Sequence, residues 1–149
     1  MANLEFFREF SVAPNEVFVF FVPQRMPLWY GVEMNSHFEV QGGASDFAVG
    51  QKLKITGDLG NWEVTLTVVI TAYEWERLLE LQFQDSYGVR GMQRWELTPT
   101  PSGTRIQMRD SYRLPDLFGR IFDKIFTHFA VAQRDRAWLD RLQRLAERR

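Results

Sequence analysis

A chain of 149 residues, 45% hydrophobic and 25% charged, has the length and balance of one globular unit that buries roughly 70% of its unfolded surface around one core. A formal charge of -1 and a pI near 6.1 give no electrostatic footprint for nucleic acid or an anionic membrane. The absence of cysteine excludes disulfides, zinc–thiolate centres and thiol nucleophiles.

The first stretch, "MANLEFFREF", has no basic segment leading into an apolar run of signal-peptide length, and no window approaches the ~20 apolar residues of a membrane helix. A cytoplasmic protein without stable membrane insertion is therefore expected. Over residues 3–12, Leu4, Phe6, Phe10 and Val12 alternate with Glu5, Glu9 and Ser11, the period of a half-buried strand, interrupted on its apolar face by Arg8. Pro14 suits the first turn of a helix, and Asn15 and Glu16 add first-turn polarity, so a short helix is expected over residues 14–22. Pro23 and Pro27 permit only a second short helical piece before "LWYG", in a kink that carries no basic recognition face.

From Asn35 the period changes to two. "SHFEVQG" and "QKLKITGDL" flank a connector at Gly42 and Gly43; "DLGN" reads as a hairpin turn into "NWEVTLTVVITAYEWE", where Trp62, Val64, Leu66, Val68 and Ile70 share one face. "RLLELQFQD", "VRGMQRWELT" and "TRIQMRDSYRL" follow, separated by the turn chemistry of "SYG" and "PTPSG", completing a meander of about six antiparallel strands. After Pro115 the period lengthens again. Phe118, Ile121, Phe122, Ile125, Phe126 and Phe129, continued by Ala132, Leu139 and Leu142, form the stripe of an amphipathic helix of roughly 30 residues; Asp135 and Arg141 fall off it. No repeat or linker divides the chain, so a single domain over 1–149 is expected.

Strand, two short helices, meander and long terminal helix, in this order, resemble the START-like or Bet v 1-like superfamily (SRPBCC), of polyketide cyclase/dehydrase and lipid-transport type. The motifs that carry the resemblance are "FSVAPNEVF" at the first strand-to-helix joint and the hairpin "RWELTPTPSGTRIQMR". The resemblance implies an α+β helix-grip fold, in which a strongly curved antiparallel sheet of about seven strands wraps the terminal helix. It also implies a cavity between them for a lipid, polyketide or aromatic metabolite. The short helices would then close the open side of the grip, which accounts for aromatics on more than one face of "VFVFF".

Two readings of the inward-facing apolar side chains stand side by side: packing on one another, or lining that cavity. The candidate ligand contacts are Phe38, Leu66, Val68, Leu81, Phe83, Trp95 and Met108 on strands and Phe122, Ile125, Phe126 and Phe129 on the helix. The further inward positions Leu53, Ile55, Val64, Leu79 and Ile106 belong to the same faces.

Counting by twos also brings Gln93, Asp110 and Tyr112 onto the inner faces, where they would orient a polar end of the ligand, and Asp85 behind Leu81 and Phe83. A buried carboxylate requires a partner, so the structural alternative is a wetted rim, or for Asp110 an arginine such as Arg8.

His37 and His128 are the only imidazoles; the spacing of His128 from Ile125 and Ala132 reads as an edge of the helix stripe. No HExxH, CxxC, phosphate-loop or GxSxG pattern occurs, so neither a metal, a cofactor nor a catalytic residue is assigned. Residues 134–149, "RDRAWLDRLQRLAERR", read as a solvated helix face. Three functions remain in view: binding of a small hydrophobic molecule, an aromatase/cyclase acting on a poly-β-keto chain, and a protein-interaction module using exposed Trp29, Trp75 or Trp138. A homodimer is retained as a partner state, and nucleic acid is not expected.

Overall fold

The computed structural model describes residues 2–60, 62–115 and 121–148, without the side chains of Leu59 and of 121–129. Alternating hydrophobicity produces seven antiparallel strands: β1 (Ala2–Phe10), β2 (His37–Val40), β3 (Lys52–Leu59), β4 (Trp62–Glu74), β5 (Leu78–Asp85), β6 (Arg90–Thr100) and β7 (Gly103–Arg113). They form one sheet in the order β1-β7-β6-β5-β4-β3-β2, so the meander is closed at one side by the N-terminal strand pairing with the last strand. Helix α1 (Pro14–Phe18) follows β1, and helix α2 (Ile121–Ala146) ends the chain. The α+β helix-grip expectation is borne out.

Several boundaries differ from the periodic reading. Strand β1 stops at Phe10, because Val12 leaves the sheet and its carbonyl accepts a hydrogen bond from the buried Thr104 hydroxyl at 2.7 Å. Glu16 caps α1 by accepting from the Ala13 N–H at 3.0 Å. That helix extends only to Phe18. The chain then runs through i,i+3 turns, Phe20 N–H to Val17 and Phe21 N–H to Phe18, with two 3₁₀ turns beyond at Met26–Leu28 and Val32–Met34. Tertiary packing of rings overrides the helical period here. Strand β4 ends at Glu74, since Glu76 adopts φ 66° in the turn that leads to β5.

Those turns place rings against rings. Phe18 stacks on Phe21 at 5.0 Å, Phe21 meets Trp29 at 5.0 Å, and Trp29 and Tyr30 both contact Trp95 of β6 edge-on; all five are fully buried. Much of the chain's 15% aromatic content is therefore packed on the open side of the grip, where each ring contributes its burial and ring-pair geometry adds about 0.5–1.5 kcal/mol.

The terminal helix buries Ala132, Asp135, Trp138, Leu139 and Leu142 against the concave face of the sheet. Polar bonds fix its C-terminal half. Arg8, the residue that interrupts the apolar face of β1, donates to Asp140 at 2.6 Å and to Gln143 at 3.1 Å. Glu147 accepts from the Ser11 N–H at 3.0 Å, which holds its carboxyl below the usual range.

Gly91 shows how the pairing admits large side chains. It lies opposite Phe83, and a Cβ placed there would sit 2.3 Å from the Ser111 carbonyl oxygen and 2.8 Å from the Phe83 ring. Gly91→Ala is expected to destabilise the protein by about 1–3 kcal/mol through overpacking, read as a lower urea midpoint at unchanged m.

A cavity with a buried ionic floor

A cavity of about 400 Å³ opens between the sheet and α2. Its aliphatic wall consists of Val64, Leu66, Val89, Leu114 and Val131, and its aromatic wall of Tyr30, Phe83, Tyr112 and Trp138. Trp62, 65% exposed, and Tyr87 stand at its mouth with ring centroids 6.2 Å apart; the Tyr87 hydroxyl donates to the Glu63 carbonyl. The charged lining residues are Glu33, Asp85 and Arg134.

One row across the sheet carries the chemistry. Leu4, Asp110, Gln93, Leu81 and Ile70 lie directly opposite one another on β1, β7, β6, β5 and β4, so a carboxyl and an amide sit in an otherwise apolar line. Tyr30 donates to Gln93 Oε1 at 2.6 Å, and Gln93 Nε2 donates to Asp110 Oδ2 at 3.4 Å.

From α2, Arg134 Nη2 donates to Asp110 Oδ2 at 2.9 Å and to Asp135 Oδ1 at 3.2 Å; Arg134 Nε also donates to Asp135 Oδ1 at 3.3 Å. Both aspartate side chains are fully buried, while the Arg134 side chain is 32% exposed and lies 4.5 Å from the Trp138 ring centroid. The Trp138 indole N–H in turn donates to Glu33 at 2.7 Å.

Two carboxyls and one guanidinium form an unbalanced set. Asp110 Oδ1 and Asp135 Oδ2 have no donor among the described residues, which is the arrangement that one proton between two carboxyls satisfies. Burial, reinforced by the hydrogen bond to Asp110, pushes the Asp135 carboxyl up to about 9, against the pull of Arg134. The buried pair thus holds one proton between its two carboxyls at neutral pH, and Arg134 retains one negative charge as counter-ion. Burial likewise raises the Tyr30 hydroxyl, keeping it a neutral donor, and raises that of Tyr112, with Asp110 adding to the effect.

Several sequence expectations change here. The partner of Asp110 is Arg134, since Arg8 turns instead to Asp140, six residues further along α2. Asp135 is not on a solvated face: it lies three residues from both Ala132 and Trp138, in phase with the buried stripe. Trp29 and Trp138 are buried, which removes them from an interaction surface; Trp75 is 51% exposed.

Of the candidate ligand contacts, Leu66, Phe83 and Tyr112 line the cavity; Val68, Leu81, Trp95 and Met108 pack in the core, and Phe38 is half-buried against Tyr30. Gln93 and Asp110 form the floor behind Tyr30 and Arg134. Phe122, Ile125, Phe126 and Phe129, together with His128, lie outside the described side chains; His37 is exposed on β2, and Asp85 caps the β5–β6 turn by accepting from the Tyr87 and Val89 N–H groups.

The sequence candidates do not include Arg134 and Asp135, and include Trp138 only as an exposed interaction residue. The three- and four-residue spacing from Ala132 to Leu142 was the signal available for the last two.

A curved sheet gripping a terminal helix around an apolar cavity defines a helix-grip protein. Residues 1–147 match the family described as polyketide cyclase/dehydrase and lipid transport, and the chain belongs to that family. A search of curated proteins gives no match.

Among solved structures, the chain is similar to protein MLL2253 of Mesorhizobium loti (19% identity, TM-score 0.76, 99% of this chain and 98% of that one). It is also similar to SA2116 of Staphylococcus aureus, a protein of unknown function (14% identity, TM-score 0.76, 98% and 93%). A third similar structure is DynU16, a protein from the dynemicin biosynthetic locus (19% identity, TM-score 0.69, 98% and 47%). At these identities the likeness speaks to the fold. Among the described residues no helix is long and apolar enough to cross a membrane, and no group of three metal-ligating side chains converges.

Proposed function

We propose that the protein binds a small hydrophobic molecule, a lipid, polyketide or aromatic metabolite, in the cavity between the sheet and α2. The observation that carries this reading is the cavity itself: about 400 Å³, inside the range of small-molecule sites, with apolar walls and a few converging polar groups. Leu66, Phe83 and Tyr112 would contact the ligand, with Gln93 and Asp110 acting through the groups in front of them.

Leu66→Trp is the test, because it adds an indole into the cavity from a strand whose backbone is unaffected. Native mass spectrometry of the gently purified full chain is expected to show a retained small organic molecule in the wild type and none in Leu66→Trp, at an unchanged melting temperature. Equal retention by both proteins, or none by the wild type, would count against the cavity as the site.

The shared proton of Asp110 and Asp135, one side chain behind the cavity wall, favours a second reading as an aromatase/cyclase-type enzyme. The floor would then hold a proton for a keto–enol exchange in a bound poly-β-keto chain. Asp135→Asn separates the two: a pure binding protein keeps its ligand affinity and has no turnover to lose.

A further inference from the structure

The outer face of the sheet, away from the cavity, divides into two halves by charge. Over one half the arginines are answered by carboxylates: Arg94 pairs with Glu80 at 2.7 Å, Arg109 with Glu5 at 3.4 Å, Arg105 with Glu9 at 3.9 Å, and Arg77 with Glu74 and, at 3.6 Å, Glu96. Over the other half the cations stand alone. The register sets Lys54, Thr67, Gln84, Arg90 and Arg113 directly opposite one another on β3, β4, β5, β6 and β7, and all five are exposed. Lys54, Arg90 and Arg113 make no ion pair or hydrogen bond among the described residues.

Like charges directly opposite on neighbouring strands repel, and the two halves treat that repulsion differently. Arg94 faces Arg109, but the same row continues into Glu80 at one end and Glu5 at the other, so it is neutral as a whole. Arg90 faces Arg113 with Gln84 beside it and no carboxylate within reach. The next outward row on the same strands adds Lys52, Val69, Gln82, Met92 and Ser111, a further cation and again no acid. Glu39, opposite Lys54 on the edge strand, is the carboxylate of the first row, and it forms no ion pair with that lysine. Lys52, Lys54 and Thr67 line an open depression at that end.

The shape and neighbours of the row select its partner. Single-stranded nucleic acid needs aromatic side chains on which bases stack, and neither row holds one. An anionic bilayer needs apolar side chains to insert beside the cations, and the exposed large hydrophobic residues all lie elsewhere. Carboxylates on a peptide meet both the cations and the neutral donors Thr67, Gln82 and Gln84 between them. From β3 to β7 the row spans four strand spacings, about 19 Å, the length of about six extended residues.

We infer that this half of the outer face is a docking surface for an acidic extended segment of a partner protein, with carboxylates seated on Lys54, Arg90 and Arg113. The inference is independent of the cavity reading.

Fluorescence anisotropy of a labelled decaglutamate peptide with the full chain tests it. Binding is expected at about 20 mM salt and is expected to weaken at about 150 mM, as screening requires. Arg90→Gln/Arg113→Gln is expected to lower the affinity about tenfold or more. Arg105→Gln/Arg109→Gln, which changes the net charge by the same amount in the paired half, is expected to leave it within about twofold. The melting temperature of Arg90→Gln/Arg113→Gln is expected to equal or exceed that of the wild type, because a repulsive pair is removed. Leu66→Trp, which fills the cavity, is expected to bind the peptide like the wild type, so the two readings fail separately.

No binding at low salt, or an equal loss in both double variants, would overturn the docking surface. A lower melting temperature for Arg90→Gln/Arg113→Gln would assign those arginines to stability and overturn it too. Tighter binding of a decathymidylate oligonucleotide or of phosphatidylserine vesicles than of the peptide would overturn the acidic segment as the partner.

Discussion

Arg134→Met is expected to cost about 3–5 kcal/mol of unfolding free energy, because it strands a buried carboxylate rather than because it removes a favourable pair. Asp110 is fully buried and its Oδ2 takes its strongest donor, at 2.9 Å, from Arg134; the 3.4 Å bond from Gln93 cannot replace a cation. The contact with the Trp138 ring is lost as well, a smaller contribution of about 0.5–2 kcal/mol. Neutralising the stranded acid should recover much of the loss. In urea titrations at pH 7, Arg134→Met/Asp110→Asn is therefore expected to be more stable than Arg134→Met alone. Strict additivity of the two single substitutions would contradict a direct ion pair.

Wild-type stability is expected to fall as pH rises through the neutral range, and Asp135→Asn to flatten that fall. The Asp135 carboxyl is raised from an ordinary value of 3.8 to about 9, burial being the main cause. Between those limits the folded chain holds one proton more than the unfolded chain, so the slope of unfolding free energy against pH is negative, at most about 1.4 kcal/mol per pH unit. The stabilisation is complete below about pH 4 and is lost as the pH passes through about 9.

Asparagine mimics the protonated acid: its carbonyl accepts from Arg134 and its amide donates to Asp110. Denaturant midpoints of both proteins at pH 5 and pH 8 test this. The variant is expected to gain on the wild type at pH 8 far more than at pH 5. Glu147, held below its usual range by the Ser11 N–H, and Tyr73, pushed up to about 12 by burial, titrate outside this interval. A wild-type slope no steeper than the variant's would contradict the shared proton.

The strands were legible because period two is written in single residues: Val64, Leu66, Val68 and Ile70 are all buried and each follows the last by two. Gln93 and Asp110 were legible in the same way, as polar letters on an apolar face, and both are fully buried. What a single strand cannot show is which residue faces it from another element. Arg134 and Asp135 are adjacent in sequence to ordinary surface charges, and only the approach of α2 to β7 gives one a carboxylate and the other a shared proton.

The tryptophans carry the same lesson. Trp29 has no periodic neighbours that mark it as buried, and it is the 3₁₀ turns at Met26–Leu28 and Val32–Met34 that fold one strip of rings over the other, whereas Trp138 stands four residues before Leu142 in the helical stripe. Aromatic-rich "VFVFF" read as helix because local spacing allowed it, and the structure ends α1 at Phe18 because Phe18 and Phe21 stack only when the chain tightens into a turn.

The most direct measurement of the account is a methyl-detected NMR titration of the full chain with 9-fluorenone. Chemical-shift changes centred on the methyls of Val64, Leu66, Val89 and Val131, with those of Val49 on the outside unmoved, are the predicted result. Shifts confined to exposed methyls, or none at saturating probe, would contradict a ligand cavity between the sheet and α2.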